Sequence, residues 1–237
     1  MSGATVKGFT IPSLEDRRRF LLGNSLFCNL PEDVLDALVD MARIRQLKDR
    51  ACLHAKGHMP DGMYAVLQGC IRATSCLPNG KEVLLSLIEP GSWLGESSLF
   101  DGLPRAYDAY AQGDCTLLQL PKDGLDRLLE ERPELYRFFV QLLCQRVRLS
   151  LLLLEANALL PLEGRLAGRL LLLAEQGCAT RTTLRVSQED LSQMLGTSRQ
   201  SINKVLKTWE QIGLISRHYG RITLSNREAL RQLASTE

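Results

Sequence analysis

Residues 197–212, TSRQSINKVLKTWEQI, set Ile202, Val205, Leu206, Trp209 and Ile212 at three- and four-residue steps. That spacing gathers them on one face of a helix, and such a face must be buried. The front of the helix is left with Ser198, Arg199, Gln200, Asn203 and Lys204, followed by Lys207. Just upstream, Ser187 to Leu195 opens with a Ser187–Asp190 capping-box pattern, and Gly196 then supplies a turn. Two helices joined in this way read as a helix-turn-helix, whose second helix lies in the major groove of DNA. Arg and Lys donate to guanine, Asn and Gln pair bidentately with adenine, and each good pair contributes about 1–3 kcal/mol of discrimination. A second reading stays open at Gln200, because Thr197 and Gln200 also fit a capping box that would tie this glutamine to its own backbone.

Working outward, GLISRHYGRITL (213–224) holds two short apolar runs around a polar, Gly-containing turn, the pattern of a β-hairpin wing. Arg217, His218 and Arg221 flank its tip, placed either to meet phosphates or simply to solubilise the hairpin. The charge distribution agrees with a nucleic-acid partner. The formal net charge is +2, yet residues 180–237 carry nine Lys or Arg against five Asp or Glu, so the rest of the chain is slightly acidic.

A chain of 237 residues with 45% hydrophobic content is long enough for two cores. Even LSLLLLEANALL (149–160) is broken by Ser150, Glu155 and Asn157, short of the roughly 20 apolar residues that span a bilayer. The N-terminus lacks a basic-then-apolar leader, so a cytoplasmic protein without a membrane partner is expected. Seven cysteines are scattered from Cys28 to Cys178 without a CxxC pair, which argues against a disulfide framework or zinc module and predicts mostly small core residues. No Ser/His/Asp set, metal spacing or phosphate-binding Walker loop is present, which argues against an enzyme.

From Gly57 to Gly113 short β-rich runs alternate with turn signals: MYAVLQG, CIRATSC, the turn LPNG with Asn79-Gly80, KEVLLSLIEPG and DCTLLQLP. The fold class expected is α+β, with an N-terminal β jelly-roll over residues 20–133. Helices at PEDVLDALVDMA and near residue 124 flank it. A long helix over 134–160 follows, with a rough coiled-coil seam at Leu143, Val147, Ser150, Leu154 and Ala158 and with Leu151, Leu152 and Leu153 pointing elsewhere. It is expected to pair with its copy in a homodimer, since two-fold dimers match half-sites about 34 Å apart on palindromic DNA. Pro161 disfavours helical geometry at Leu160, which predicts a hinge there and a third segment, 161–237, that reads DNA.

One loop in the roll carries candidate chemistry: GESSLFDGLPRAYDA (95–109). Gly95 lets backbone approach closely, Glu96 accepts from a hydroxyl pair, the amides at Ser97 and Ser98 face an anion, and Arg105 offers a planar fork for phosphate. A sugar phosphate satisfies all of these. An internal Glu96–Arg105 ion pair closing the loop satisfies the two charges equally well.

The order of roll, GE-SLF-G-PRA loop, long helix and C-terminal helix-turn-helix resembles the CRP/FNR family of bacterial transcription regulators over essentially residues 20–230. By that resemblance the loop is the phosphate-binding cassette of a cyclic-nucleotide-binding domain. Glu96 would hold the ribose 2′-hydroxyl and Arg105 the cyclic phosphate, with the backbone at Gly95 and Ala106 and the residue Ser97 completing the cradle. Arg146 and Ser150 match the Arg and hydroxyl residue of cAMP-responsive members, whereas Leu151 stands where a second hydroxyl residue usually follows. The family's base-contacting positions correspond to Arg199, Gln200, Asn203 and Lys204. No cysteine precedes Cys28, unlike the iron–sulfur members, and His54 and His58 read as exposed loop histidines rather than haem ligands. The resemblance implies a cyclic nucleotide, cAMP or cyclic di-GMP, as an allosteric ligand, no other cofactor, no metal, and RNA polymerase as a partner if the protein activates. The alternative is a DNA-binding protein whose roll no longer takes an effector.

Overall fold

The computed structural model describes residues 5–6, 9–10, 13–24, 27–76, 80, 82–175 and 182–235. It divides into two compact units, Met1–Ser75 with Leu87–Gln145 and Cys76–Ser86 with Arg146–Glu237.

The chain begins with an antiparallel pair, β1 (Thr5–Val6) and β2 (Phe9–Thr10), then α1 (Leu14–Leu22) and α2 (Glu32–Met41). The roll is built from β3 (Arg43–Leu47), β4 (Cys52–His54), β5 (Gly62–Cys76), β6 (Glu82–Ile88), β7 (Trp93–Leu94) and β8 (Asp108–Pro121). Between β7 and β8 stands a one-and-a-half-turn helix, α3 (Glu96–Asp101), and after β8 come α4 (Lys122–Glu131) and the long helix α5 (Tyr136–Leu159). The strands order as β3-β8-β5-β6, with β4 also on β8 and β7 also on β5. The expected N-terminal β-roll is therefore present.

Its two central strands explain their own composition. Successive residues of a strand point to opposite faces. Along β5, Met63 and Ala65 join a core shared with α1, α2, α4 and the start of α5, while Tyr64 and Val66 join a second core inside the roll. On β8, Leu118 and Leu120 take the helical side and Cys115 and Leu117 the inner one. Both faces are buried, so MYAV reads as a continuous apolar run rather than an alternating one, and LLQL is interrupted only by the buried Gln119.

The two runs read from the sequence as separate strands, MYAVLQG and CIRATSC, are one strand. Gly69 is not a turn: the β5–β8 register shifts between Val66 and Gln68 and again between Gln68 and Cys70, and Gly69 lies within the second shift. Its φ is +88°, and a Cβ there would stand 2.5 Å from Cys115 Sγ and 2.6 Å from the Asp114 carbonyl oxygen. Only glycine fits such an approach, and opposite it β8 carries the extra residues, Gly113 to Cys115, while β5 runs on without ending. Of the expected Asn79-Gly80 turn, Asn79 lies outside the described residues. Cys115 is buried and Cys70 half-buried, but Cys28, Cys52, Cys76 and Cys144 are exposed, so the core reading of the cysteines holds for few of them. Cys178 lies outside the described residues.

The long helix starts two residues later than expected, because Pro133–Leu135 forms a 3-10 turn. Its 24 residues extend about 36 Å. Val140, Cys144, Val147, Leu151, Leu154 and Ala158, at alternating four- and three-residue steps, are all exposed. Leu151 and Leu152, read from the sequence as pointing elsewhere, are exposed as well, and Leu143 is half-buried.

In the second unit, α6 (Leu162–Glu175) is followed by β9 (Thr183–Leu184), α7 (Gln188–Leu195), α8 (Arg199–Gln211), β10 (Ile215–His218), β11 (Arg221–Leu224) and α9 (Arg227–Ala234). Pro161 lies between α5 and α6, where the hinge was expected. Strands β10, β11 and β9 form a small antiparallel sheet, and the first two are the expected wing. Leu166, Leu170, Leu191, Ile202, Leu206 and Leu230 are fully buried in its core. Helix α6 lies so close to α9 that a Cβ at Gly164 would stand 2.8 Å from the Leu233 carbonyl oxygen.

Candidate functional site

Every feature of the cassette begins with Gly95. Its φ of +92° turns the chain from β7 into α3, and a Cβ there would lie 2.6 Å from Arg105 Nη1. Glu96, the first residue of α3, is buried, as is Ser98, whose hydroxyl donates to the Pro104 carbonyl oxygen at 3.4 Å. Ser97 and Ala106 are exposed. The backbone of Arg105 is pinned on both sides: its N–H donates to the His58 carbonyl oxygen and its own carbonyl accepts from Gly57 N–H, each at 2.8 Å.

The Arg105 side chain is only 2% exposed. Its Nη1 donates to the Gly95 carbonyl oxygen at 2.9 Å, and Nη2 donates to the Gly62 carbonyl oxygen at 2.7 Å and to Asp61 Oδ1 at 2.9 Å. The acidic partner of Arg105 is thus Asp61, not Glu96, and the loop-closing ion pair considered from the sequence is replaced by one spanning β8's approach and the β4–β5 turn. Tyr64 donates its hydroxyl to Asp61 Oδ2 at 2.6 Å, and Gln119 Nε2 donates to the Tyr64 oxygen at 3.3 Å. Burial pushes the Asp61 carboxyl up, but hydrogen bonds from Tyr64 and Arg105 outweigh it and hold it below the usual carboxylate value. Burial, reinforced by the Asp61 charge, raises the Tyr64 phenol. One polar atom of the fork is left over: Arg105 Nε is buried and has no hydrogen-bond partner.

Sequence reasoning did not find Asp61, Tyr64 or Gln119. Nothing local in the sequence ties Asp61 to an arginine 44 residues away. Arg146 and Ser150 stand exposed on α5, within the second unit, where the Ser150 hydroxyl donates to the Arg146 carbonyl oxygen at 2.9 Å.

His54, read as an exposed loop residue, is on β4 and buried, with its ring 5.5 Å from that of Tyr107. His58 is exposed. Neither ring nitrogen of His54 makes a well-aligned hydrogen bond. Burial, and then the charge of Arg105, lowers its pKa to about 4 from an ordinary 6.5. Between those values the unfolded chain holds the extra proton, so stability present above about pH 6.5 is lost as the pH falls through the window, at up to about 1.4 kcal/mol per unit. His54→Leu should flatten the decline of the melting temperature between pH 6.5 and 4. An unchanged slope would assign that decline to other groups.

In the second unit, the Ser187–Asp190 capping box forms as read, with both backbone bonds at 3.0 Å, and Gly196 ends α7 at φ +63°. Ser198, not Thr197, caps α8, accepting from Ser201 N–H at 3.0 Å. The box that would have occupied Gln200 does not form, and Arg199, Gln200, Asn203 and Lys204 are all exposed. Helix α8 stops at Gln211, and Ile212, expected on the buried face, is 65% exposed. A groove of about 480 Å³ lies between α8 and the wing, lined by Gln188, Arg199, Arg217, Tyr219 and Arg221 among others. Arg217 is not loose at its edge. Its Nε and Nη2 donate to Glu210 Oε2 at 3.0 and 2.7 Å, its backbone N–H donates to Glu210 Oε1, and its Nη1 donates to Asn203 Oδ1 at 3.0 Å. Arg221 is exposed at the tip.

A roll holding a buried, carboxylate-fixed arginine, joined to a winged helix-turn-helix with a polar outer face, has the architecture of a two-unit DNA-binding regulator. Comparison with known proteins agrees: residues 44–132 match the model of the cyclic nucleotide-binding domain and residues 164–233 that of the Crp-like helix-turn-helix domain. The chain is 31% identical over 180 residues to the transcriptional regulator SdrP of Thermus thermophilus, covering 74% of this chain and 85% of that one. It is 29% identical over 185 residues to a CRP-like cAMP-activated global transcriptional regulator of Mycobacterium tuberculosis, covering 76% and 83%. Among solved structures, it is similar to the c-di-GMP responsive global regulator CLP of Xanthomonas campestris at a TM-score of 0.66 and 20% identity, over 83% of this chain and all of that one. The chain belongs to the CRP/FNR family of transcription regulators, proteins that bind DNA and are not enzymes. No helix among the described residues is long and apolar enough to cross a membrane.

Proposed function

We propose that the protein is a homodimeric, cytoplasmic transcription regulator whose hold on palindromic DNA is set by a cyclic nucleotide in the roll. The observation that carries this reading is the Arg105 guanidinium: buried, fixed by Asp61 and two carbonyl oxygens, and left with an unpaired Nε–H. A buried donor of this kind is matched by a phosphate oxygen. Glu96 takes the ribose hydroxyl, Gly95, Ser97 and Ala106 line the cradle, and the base is assigned to Arg146 and Ser150 by the family resemblance alone. The effector favoured is cAMP, on the Arg146–Ser150 spacing and the cAMP-activated relative. Cyclic di-GMP is the second reading, favoured by Leu151 in place of a hydroxyl residue and by the likeness to CLP.

The exposed seam from Val140 to Ala158 supports pairing of α5 with its copy, since an apolar heptad stripe in water needs a partner. The segments act as a roll over 20–133, a dimer helix over 134–160 and a DNA reader over 161–237 that turns about Leu160-Pro161. A nucleotide shifts this equilibrium only by preferring one arrangement. Ser198, Arg199, Gln200, Asn203 and Lys204 face the groove, with Arg217 and Arg221 beside them on the wing. If the protein activates, RNA polymerase is a further partner.

Titration calorimetry with cAMP, cGMP and cyclic di-GMP, paired with gel shifts on a palindromic site, tests the proposal. Binding of one nucleotide at micromolar affinity that also changes DNA affinity is the expected result. Sequence-specific DNA binding indifferent to all three would leave a regulator without effector control.

A further inference from the structure

The hydrogen bonds that reach Asn203 determine what it offers to a base. Its side-chain oxygen accepts from Arg217 Nη1 at 3.0 Å and from Gln188 Nε2 at 3.3 Å. A guanidinium has only donors, so the amide atom facing Arg217 must be the oxygen and not the nitrogen. Arg217 is itself held by both carboxylate oxygens of Glu210, whose carboxyl is kept below its usual pKa by hydrogen bonds from the Arg217 side chain and backbone. Three residues, from α7, the C-terminal end of α8 and the wing, thus set one amide.

We infer that Asn203 reads a keto base, guanine or thymine, and that Glu210 and Arg217 are positioning residues which impose this choice. The inference rests on the DNA-reading role of α8. Both acceptor sites of Oδ1 are filled, and the two N–H groups of Nδ2 are what Asn203 has left for a partner in the groove. The usual bidentate pair of asparagine with adenine needs the oxygen to accept from N6 while the nitrogen donates to N7. Here that oxygen is occupied, and the adenine and cytosine amino groups would meet another donor. Guanine O6 and N7 and thymine O4 are acceptors in the major groove, whereas adenine sets its one acceptor, N7, beside the N6 amino donor that Nδ2 would meet, so guanine and thymine suit a donor-only amide better. Arg217 accordingly acts through Asn203, and the wing's exposed cation for phosphate is Arg221.

The test is selection by the full chain from a randomised palindromic duplex library, without nucleotide and with cAMP or cyclic di-GMP added, followed by sequencing. Asn203→Ala should lose base preference at one half-site position where the wild type selects G or T by roughly 3- to 10-fold. Asn203→Asp keeps an oxygen towards Arg217 but presents a second one outward, so preference at that position should turn to C or A. Glu210→Gln weakens the clamp on Arg217, lets the amide turn over, and should admit A at the same position with the rest of the site unchanged. Wild-type selection of A there, or an Asn203→Asp preference identical to wild type, overturns the inference while leaving DNA reading intact. Failure of the wild type to select any sequence in all three conditions overturns both.

Discussion

Replacing Arg105 by alanine is expected to abolish nucleotide binding in practice, weakening Kd by about 2–5 kcal/mol, or roughly 30-fold to several thousand-fold. The size follows from burial. A cation 2% exposed has little hydration to shed when it meets a phosphate. The same burial means that the substitution also touches the fold, because the carbonyl oxygens of Gly62 and Gly95 lose their donor, at about 1–3 kcal/mol for each left without a partner. Asp61, half exposed, recovers hydration and adds little to that cost. Arg105→Lys separates the two effects. It keeps a charge and some donors for the carbonyl oxygens, but lacks the planar fork, so stability should return further than nucleotide affinity. Calorimetry with cAMP and cyclic di-GMP, read against the melting temperature of each variant, checks this. Wild-type nucleotide affinity in Arg105→Ala would remove the cassette from the proposed function.

The parts of this molecule legible in the sequence are those whose causes are local. The Ser187–Asp190 box, the αL Gly196 and the period of Ile202, Val205, Leu206 and Trp209 each lie within a few residues of what they determine, and the structure shows them as read. Gly69 misled because the sequence shows a glycine but not its neighbour. Cys115 and Asp114 arrive from the other strand, where they belong to an irregularity of β8, and their closeness requires a glycine within a continuous β5. His54 misled in the same way, since its burial depends on Tyr107 and Arg105 rather than on the Gly- and Pro-rich chain around it. Within the candidate sites, Gly95, Glu96 and Arg105 were recognisable from residue type and spacing. Asp61, which fixes the arginine, and Glu210, which fixes Arg217, were not, because a carboxylate's partner is chosen by tertiary pairing.

That contrast bears on how the two sites are kept in working order. Arg105 and Arg217 are both held by a carboxylate and both lie next to a group offered to a ligand, the unpaired Nε in one case and the Asn203 amide in the other. Preorganised donors lose less conformational freedom on binding than free ones. In each site the holding residue sits on a different element from the one it holds, so the geometry of the contact depends on the integrity of a core rather than on a single helix.

Leu206→Ala should therefore remove DNA binding without any change to the polar face that performs it. Leu206 is fully buried, and its truncation costs about 2–5 kcal/mol, a large part of the roughly 5–15 kcal/mol that holds a whole domain folded. Helix α8 has 13 residues, near the length at which an isolated helix is only marginal in water. It presents Arg199, Asn203 and Lys204 in register only while Ile202, Val205, Leu206 and Trp209 keep it seated. The roll has separate cores, built on residues such as Met63, Leu118 and Leu120 on one side and Tyr64, Val66 and Leu117 on the other. Melting of the variant should thus show an early transition carrying the helical signal of the second unit and a later one at the wild-type position. Gel shifts should fall with the first transition, and calorimetric nucleotide binding should persist through it. A single transition, with DNA and nucleotide binding lost together, would mean that the two units unfold as one and that the seating of α8 is shared with the roll.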